Sequence, residues 1–177
     1  MTRILIAGAG GQGIVSLGKM ISYAAVEKGL NVTCIPSYGP EMRGGAASCS
    51  VVLCLDEITS PVISRADVLV ALNRQSLDKY EGRIGSEGRI IVDGTLIDEC
   101  DGKDPRMLAL PVWETAELAG DRKSANMVVM GVLAGMIKEL SLRSVVHSVA
   151  KVFSEKTKLI QTSLRAVRAG FLLVQHA

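Results

Sequence analysis

The opening of the chain combines a short apolar run with a cluster of glycines. Ile4 to Ala7 are all apolar, a pattern typical of a β-strand that is buried on both faces. The glycines that follow are Gly8, Gly10, Gly11 and Gly13. A helical pattern begins at Ile14, and Gly29 is placed to end it. This order is typical of the start of a doubly wound α/β domain, in which the helix N-terminus presents free N–H groups to a ligand.

The later apolar segments predict a mixed sheet followed by helices. Strands are predicted at 31–36, 46–55, 68–72, 89–92 and 107–110, a turn at 85–88, and short helices at 75–80 and 114–118. Since no helical pattern separates the second and third strands, we expect the third to pair antiparallel. Three further helices are predicted: one over 125–138, one that Ser141 caps and a final one that Ser154 caps. We expect a single three-layer, Rossmann-like α/β domain over residues 1–177, with a mostly parallel sheet and a helical C-terminal third.

Charge and composition narrow the classes of partner. The chain carries 20 Lys and Arg against 18 Asp and Glu, and only 3% of its residues are aromatic, so we expect no nucleic-acid partner. No apolar stretch approaches the roughly 18 residues of a membrane helix, and the N-terminus lacks a secretory pattern, so we expect a cytoplasmic protein without a membrane partner. The four cysteines lack Cys-x-x-Cys spacing and lie in or beside apolar runs, which predicts buried, reduced thiols.

The glycine turn fits Gly-x-Gly-x-x-Gly at positions 8, 10 and 13, but one part of a dinucleotide site is missing. An acidic residue is expected at the end of the second strand, where this chain has Cys34, Ile35 and Pro36. Three interpretations stay open: a disfavoured NAD, NADP or FAD site, a turn that only lets the helix cross the sheet, and a site for another phosphate or carboxylate. The side chain of Gln12 is predicted to point outward and hydrogen-bond a ligand.

A second glycine-rich segment is predicted to be a loop over the carboxyl ends of the strands, where open α/β sheets bind ligands. It reads Ser37-Tyr38-Gly39-Pro40-Glu41-Met42-Arg43-Gly44-Gly45. Arg43 is a bidentate donor, and the two glycines after it leave its approach open. Tyr38 is expected to be exposed. A segment of this composition beside a phosphate-type turn predicts a binding function rather than a simple connection.

A catalytic constellation is not recognisable. His147 falls on the polar face of its predicted helix and His176 lies next to the end, so both are expected to be solvated. The chain has no Gly-x-Ser-x-Gly elbow, Walker loop or His-Glu-x-x-His motif, and Gly120-Asp121-Arg122 departs from the Gly-Asp-Gly start of a thiamine diphosphate motif. We therefore predict neither catalytic residues nor metal ligands in this chain.

Taken together, the motifs resemble a known family. They are Gly-Ala-Gly-Gly-Gln-Gly at 8–13, the segment 37–45, Ser60-Pro61, Ala-Asp-Val-Leu-Val-Ala-Leu-Asn at 66–73 and Ala125-Asn126-Met127. From Arg3 to about Phe153 the chain resembles the gamma subunit of 2-oxoacid:ferredoxin oxidoreductases, the pyruvate/ketoisovalerate oxidoreductase family. The segment 37–45 is most similar to the 2-oxoglutarate and branched-chain forms.

The resemblance implies a function that the spacing alone does not. Such a complex oxidatively decarboxylates a 2-oxoacid, here expected to be 2-oxoglutarate, with coenzyme A, and passes electrons to ferredoxin. Thiamine diphosphate and iron–sulfur clusters are expected in the alpha, beta and ferredoxin-like delta partner subunits. This chain is expected to shape the coenzyme A and subunit interface through Gly8, Gly10, Gly11, Gln12, Gly13, Ser37, Tyr38, Gly39, Arg43, Gly44, Gly45 and Asn126. The alternatives are a stand-alone nucleotide-binding reductase and a purely structural subunit, and an isolated chain is expected to be inactive and able to form a homodimer.

Overall fold

The described strands form one mixed sheet in the computed structural model, which describes residues 1–39, 45–96, 104–154 and 157–175. The strands are β1 (Thr2–Ala9), β2 (Asn31–Tyr38), β3 (Ala46–Cys54), β4 (Ala66–Ala71), β5 (Ile84–Asp93) and β6 (Met107–Leu110). Their order across the sheet is β2-β3-β1-β4-β5-β6. β3 is antiparallel to both of its neighbours, and the pairs β1–β4, β4–β5 and β5–β6 are parallel. The predicted mixed sheet with an antiparallel third strand is therefore confirmed.

Helices cover the two faces of the sheet unequally. They are α1 (Ile14–Glu27), α2 (Arg74–Tyr80), α3 (Val112–Leu118), α4 (Ala125–Met136), α5 (Leu142–Val152) and α6 (Thr157–Leu173). On one face, buried residues of α1 and α3 to α6 form a large core with Ile4, Ile6 and other strand residues. On the other face, Leu5 and Leu69 belong to a smaller core that is completed by Leu77 of α2 and by Ile63. Successive residues of β1 thus alternate between the two cores, as a strand buried on both faces requires.

The helices α4 and α6 pack with their backbones in contact at two glycines. A Cβ atom on Gly131 would overlap the carbonyl oxygen of Val167, and one on Gly170 would overlap the carbonyl oxygen of Val128. Neither overlap can be relieved by rotating a side chain, because the obstructing atom belongs to the backbone. The close approach of α4 and α6 therefore depends on the absence of side chains at both positions.

Two predicted boundaries are wrong. Residues 37 and 38 continue β2, pairing with Ser48 and Ala47, although both were predicted to lie in a loop. Residues 85–88 were predicted to be a turn, but they belong to β5. They lie between the pairs Ala66↔Ile84 and Val68↔Arg89, where β4 contributes a single intervening residue, so the glycines accommodate an irregularity within the strand.

The helical C-terminal third follows the prediction closely. Ser141 caps α5 in a reciprocal arrangement with Ser144, because each side chain accepts a hydrogen bond from the backbone of the other residue. α6 begins at Thr157, and the two residues before it lie outside the described part of the chain, so the predicted Ser154 cap stays a prediction. Among the described helices, none combines the length and the apolar character that a membrane crossing requires.

Candidate functional site

The glycine turn lies where the connections of the sheet diverge. From β1 the chain passes through α1 to β2 on one side of the sheet, whereas from β4 it passes through α2 to β5 on the other side. β1 and β4 are parallel neighbours, so their carboxyl ends meet at the same edge. Open α/β sheets bind ligands outside the carboxyl ends of the strands at such a topological switch point. The turn at 8–13 follows β1 at this position.

Two residues of the turn have left-handed backbone conformations. Gly11 has a φ of 94° and Gly13 a φ of 76°, values that residues other than glycine rarely adopt. Gly13 is the N-cap of α1, where no side chain caps the helix and no acidic residue lies in the first turn. The first N–H groups of α1 and its positive dipole end are therefore available to an anionic group.

Gln12 stabilises the turn from within. Its Oε1 atom accepts a hydrogen bond from the backbone N–H of Ala9 at 2.6 Å, and its Nε2 atom donates to the carbonyl oxygen of Leu72 at 2.8 Å. Both polar atoms of the Gln12 amide therefore bond to the backbone of this chain, and its predicted contact with a ligand stays a prediction. Leu72 directly follows β4, so Gln12 links the ends of two neighbouring strands.

An open cleft of about 550 Å³ lies beside the turn. It is lined by Gly11, Gln12, Leu72, Trp113, Asp121, Arg122, Lys123 and Ala125. The guanidinium carbon of Arg122 lies 5.3 Å from the centre of the Trp113 ring, a distance that permits a cation–π interaction. The cleft therefore combines an aromatic wall, a cation held against it and the turn before α1.

The balance of charge in the cleft favours an anion. Arg122 and Lys123 are both exposed, whereas Asp121 supplies the one carboxylate among the lining residues. Asp121 accepts a hydrogen bond from the backbone N–H of Lys123 at 2.9 Å, so it also holds the short segment that presents the two cations. With Gly11 and Gln12 of the turn before α1 among the other lining residues, this arrangement suits a phosphate or a carboxylate.

The sequence analysis did not identify Trp113, Arg122 or Lys123. Two signals were present: Trp113 is the single tryptophan of the chain, and one residue separates the basic pair from the helix that starts at Ala125. Since β6 is a parallel strand, the connection that follows it returns over the same edge as the glycine turn. Only the strand order, however, brings that connection beside Gly11.

The second glycine-rich segment contacts the turn through the backbone. The N–H group of Gly10 donates a hydrogen bond to the carbonyl oxygen of Gly45 at 2.9 Å, and Gly39 donates to Ala46 at 2.7 Å. Ser37 and Tyr38 lie exposed at the end of β2, with 69% of Tyr38 accessible, and neither lines the cleft. Arg43 and Gly44 lie outside the described residues, so their binding roles stay predictions.

Asn126 is hydrogen-bonded to the last residue of the glycine turn. It is 9% exposed, and its Nδ2 atom donates to the carbonyl oxygen of Gly13 at 3.4 Å. A Cβ atom on Gly13 would overlap the same amide group. Asn126 is therefore placed to hold the start of α1. It is absent from the lining of this cleft, and its predicted binding role stays a prediction.

The histidine that the structure describes lies on the surface, bonded to the last residue of α1. His147 is exposed as predicted, and its Nδ1 atom lies 2.9 Å from Oε1 of Glu27, on the surface between α1 and α5. His176 lies outside the described residues. Within the described ranges, no three His, Cys, Asp or Glu side chains converge in a way that could hold a metal ion.

Comparison with known proteins identifies the family. The family model described as pyruvate ferredoxin/flavodoxin oxidoreductase matches residues 3–173, nearly the whole chain. The chain therefore belongs to the pyruvate ferredoxin/flavodoxin oxidoreductase family, as its motifs suggested.

Two groups of relatives differ in length. The chain is 36% identical over 169 residues to ketoisovalerate oxidoreductase subunit VorA of Methanothermobacter marburgensis. The aligned region includes 95% of this chain but only 35% of VorA. It is 33% identical over 170 residues to 2-oxoglutarate synthase subunit KorC of Archaeoglobus fulgidus. Here the aligned region includes 96% of this chain and 86% of KorC. The chain thus spans about a third of the first relative and most of the second.

Solved structures share the fold. The gamma subunit of a keto/oxoacid ferredoxin oxidoreductase from Geobacter sulfurreducens matches over the full length of both chains, with a TM-score of 0.82 and 27% identity. A 2-oxoglutarate:ferredoxin oxidoreductase from Magnetococcus marinus, determined with 2-oxoglutarate, coenzyme A and succinyl-CoA bound, has a TM-score of 0.90. That match covers 99% of this chain and 31% of the other at 23% identity.

Proposed function

We propose that this chain serves as the gamma subunit of a 2-oxoacid:ferredoxin oxidoreductase and receives coenzyme A at the cleft beside its glycine turn. Family membership and the full-length similarity to a gamma subunit support the role in a complex. The observation that carries the coenzyme A assignment is one cleft lined both by Arg122 and Lys123 and by Gly11 and Gln12, the turn residues that lead into the uncapped N-terminus of α1. Coenzyme A is a polyanion, and both features bind phosphate.

Each part of the cleft has a distinct task in this proposal. The guanidinium of Arg122 binds a phosphate bidentately, and its contact with the Trp113 ring limits its motion before binding. Lys123 contributes a second, less directional charge. Gly11 leaves the approach open, since a Cβ atom there would meet nothing within 4 Å. Gln12 and Asn126 hold the turn in shape.

The chemistry of the reaction is assigned to partner subunits. Thiamine diphosphate and iron–sulfur clusters belong in this proposal to alpha, beta and ferredoxin-like delta subunits, and ferredoxin accepts the electrons. The relatives carry the names of enzymes for different 2-oxoacids, ketoisovalerate and 2-oxoglutarate. We assign 2-oxoglutarate as the substrate to test first, because the relatives that match this chain in length at more than 30% identity carry that name.

Replacing Arg122 by alanine in the assembled complex tests the assignment. The loss of a charged hydrogen bond of about 1.5–3 kcal/mol should raise the KM for coenzyme A roughly 10-fold or more at saturating 2-oxoacid. The KM for the 2-oxoacid should stay unchanged. Arg143→Ala, which removes an exposed arginine on α5, is the matched control and should leave both constants at the wild-type value.

The same titration separates the alternatives. If Arg122→Ala assembles normally and keeps the wild-type KM for coenzyme A, the cleft does not bind that molecule and the subunit is structural. A nicotinamide or flavin found by mass spectrometry in the purified chain would instead support a stand-alone reductase.

A further inference from the structure

Two cysteine thiols lie against each other under α1, in the larger of the two cores. Cys34 is on β2 and Cys49 on β3, and their Sγ atoms are 3.4 Å apart. Cys34 is opposite Val51 and Cys49 is opposite Pro36, so the two cysteines are diagonal neighbours on one face of the sheet. Cys49 and Cys54 are buried as predicted, Cys34 is only half-buried, and Cys100 lies outside the described residues.

A glycine in α1 makes room for this pair. A Cβ atom on Gly18 would overlap Sγ of Cys49 and would lie 3.3 Å from Sγ of Cys34. The helix therefore crosses the two strands directly above both sulfur atoms. This packing leaves no side chain between them and permits contact between the thiols.

The two thiols differ in access and in acidity. Cys49 is fully buried, whereas Cys34 is reachable at the edge strand β2. A hydrogen bond with Cys49, followed by one with Ser22 and by the charge of Lys19, lowers the pKa of Cys34 to about 6 although burial opposes the shift. The hydrogen bond to Cys34 and burial raise the pKa of Cys49. Cys34 is thus the nucleophilic member and Cys49 the protonated one.

We propose that Cys34 and Cys49 form a redox-active pair that low-molecular-weight disulfides convert to an intramolecular disulfide. The Cys34 thiolate attacks one sulfur of the external disulfide, forming a mixed disulfide and releasing one thiolate. Cys49 then attacks Sγ of Cys34, closes the protein disulfide and transfers its proton to the second released thiol. Two protein sulfurs are oxidised, and one external disulfide is reduced to two thiols.

Closing the bond requires movement of one strand. A disulfide has an S–S distance of about 2.05 Å, so the sulfur atoms must approach by about 1.4 Å. β2 is the outermost strand on its side of the sheet, and its residues from 35 to 38 are exposed, so it is the partner that can move. The reaction requires neither the cleft nor the partner subunits, and it is independent of the proposed function.

Thiol mapping of the full chain tests the proposal. A Cys100→Ser background, prepared without oxygen, is incubated with oxidised glutathione, quenched with acid, and analysed by peptide mass spectrometry. The parent should form the Cys34–Cys49 disulfide. Cys49→Ser should stop at a single glutathione on Cys34, and Cys34→Ser should react at least 10-fold more slowly. Cys54→Ser is the matched control and should behave as the parent does.

A second measurement does not depend on any variant. The rate at which iodoacetamide alkylates Cys34 should be near its maximum at neutral pH and should fall to half near pH 6, because a lowered pKa keeps the thiolate present down to that pH. The proposal is overturned if Cys54 reacts before Cys34, if glutathione stays on Cys34 while Cys49 is intact, or if Cys34→Ser reacts at the parental rate. If a serine variant fails to fold, the peptide map of the parent still shows whether the Cys34–Cys49 disulfide forms.

Discussion

Glycine serves opposite purposes in two regions of this molecule. Where α4 crosses α6, side chains are absent because Gly131 and Gly170 face the backbone of the other helix. In the turn after β1, Gly11 faces open space at the cleft, and a side chain there would meet no atom of the described residues within 4 Å. Packing requires Gly131 and Gly170, whereas Gly11 leaves room for a bound molecule. The atoms that a side chain would meet therefore distinguish a structural glycine from one that is suited to binding.

The turn itself contains both kinds of glycine. A Cβ atom on Gly8 would lie 2.9 Å from Ile14 Cδ1 and 3.2 Å from Leu72 Cβ, so this position is required by packing. Gly13 combines a positive φ with an overlap with Asn126, and it is constrained twice. Only Gly11 is constrained by its backbone conformation alone. Substitutions ordered by these constraints should therefore have graded effects on stability.

The largest effect is expected at the helix crossing. Gly131→Ala should lower the free energy of unfolding by about 3 kcal/mol or more, because the new methyl group overlaps the Val167 carbonyl and α4 must move away from α6. Urea unfolding of the isolated full chain measures the change. Gly82→Ala, at a position with nothing within 4 Å, is the control and should stay within about 0.5 kcal/mol of the parent. Equal stabilities for the two variants would refute the packing argument.

An intermediate effect is expected at Gly13. Gly13→Ala should cost roughly 2 kcal/mol, of which about 1 comes from the left-handed conformation and the rest from the contact with Asn126. Combining it with Asn126→Ala removes the contact, so the two changes should together cost about 1 kcal/mol less than their sum. A double-mutant cycle in urea measures this coupling. Strict additivity would show that Asn126 does not constrain the turn.

The smallest loss of stability is expected at Gly11, where the functional effect should be clear. Gly11→Ala should cost about 1 kcal/mol, since only its φ of 94° opposes the side chain. The methyl group enters the cleft, so the KM for coenzyme A in the assembled complex should rise several-fold while the chain stays folded at working temperature. An unchanged KM together with the expected stability would argue that the ligand does not approach this glycine.

Local patterns were sufficient for most of the fold. The apolar run at Ile4 predicted β1, the missing helix before Ala46 predicted the antiparallel strand, and Ser141 predicted the start of α5. Each of these signals acts over a few residues, so tertiary structure had little opportunity to override it. The errors have a different origin. Gly85 and Gly88 are typical of a turn, but pairing with β4 incorporates them into β5 as an irregular strand.

The site was less predictable, because its members come from distant parts of the chain. Gly11 was identified from its motif, whereas Arg122 and Trp113 become neighbours of the turn only through the strand order. The internal hydrogen bonds of Gln12 were unpredictable for a related reason. Its amide has two hydrogen-bonding groups, and a sequence pattern does not reveal that Ala9 and Leu72 need both of them. Residue spacing specifies a turn, but not which of its polar groups are already satisfied.

The two long-range hydrogen bonds of the turn have a consequence for the order of folding. The N–H group of Gly10 donates to the carbonyl oxygen of Gly45, and the side-chain amide of Gln12 donates to the carbonyl oxygen of Leu72. Neither bond can form until β3 and β4 have paired with β1 on its two sides. Such contacts between distant segments form late, because closing the intervening loops costs entropy first. A nascent chain that has released only its first strand and helix should therefore carry an unshaped turn. The binding surface matures only when the centre of the sheet is complete.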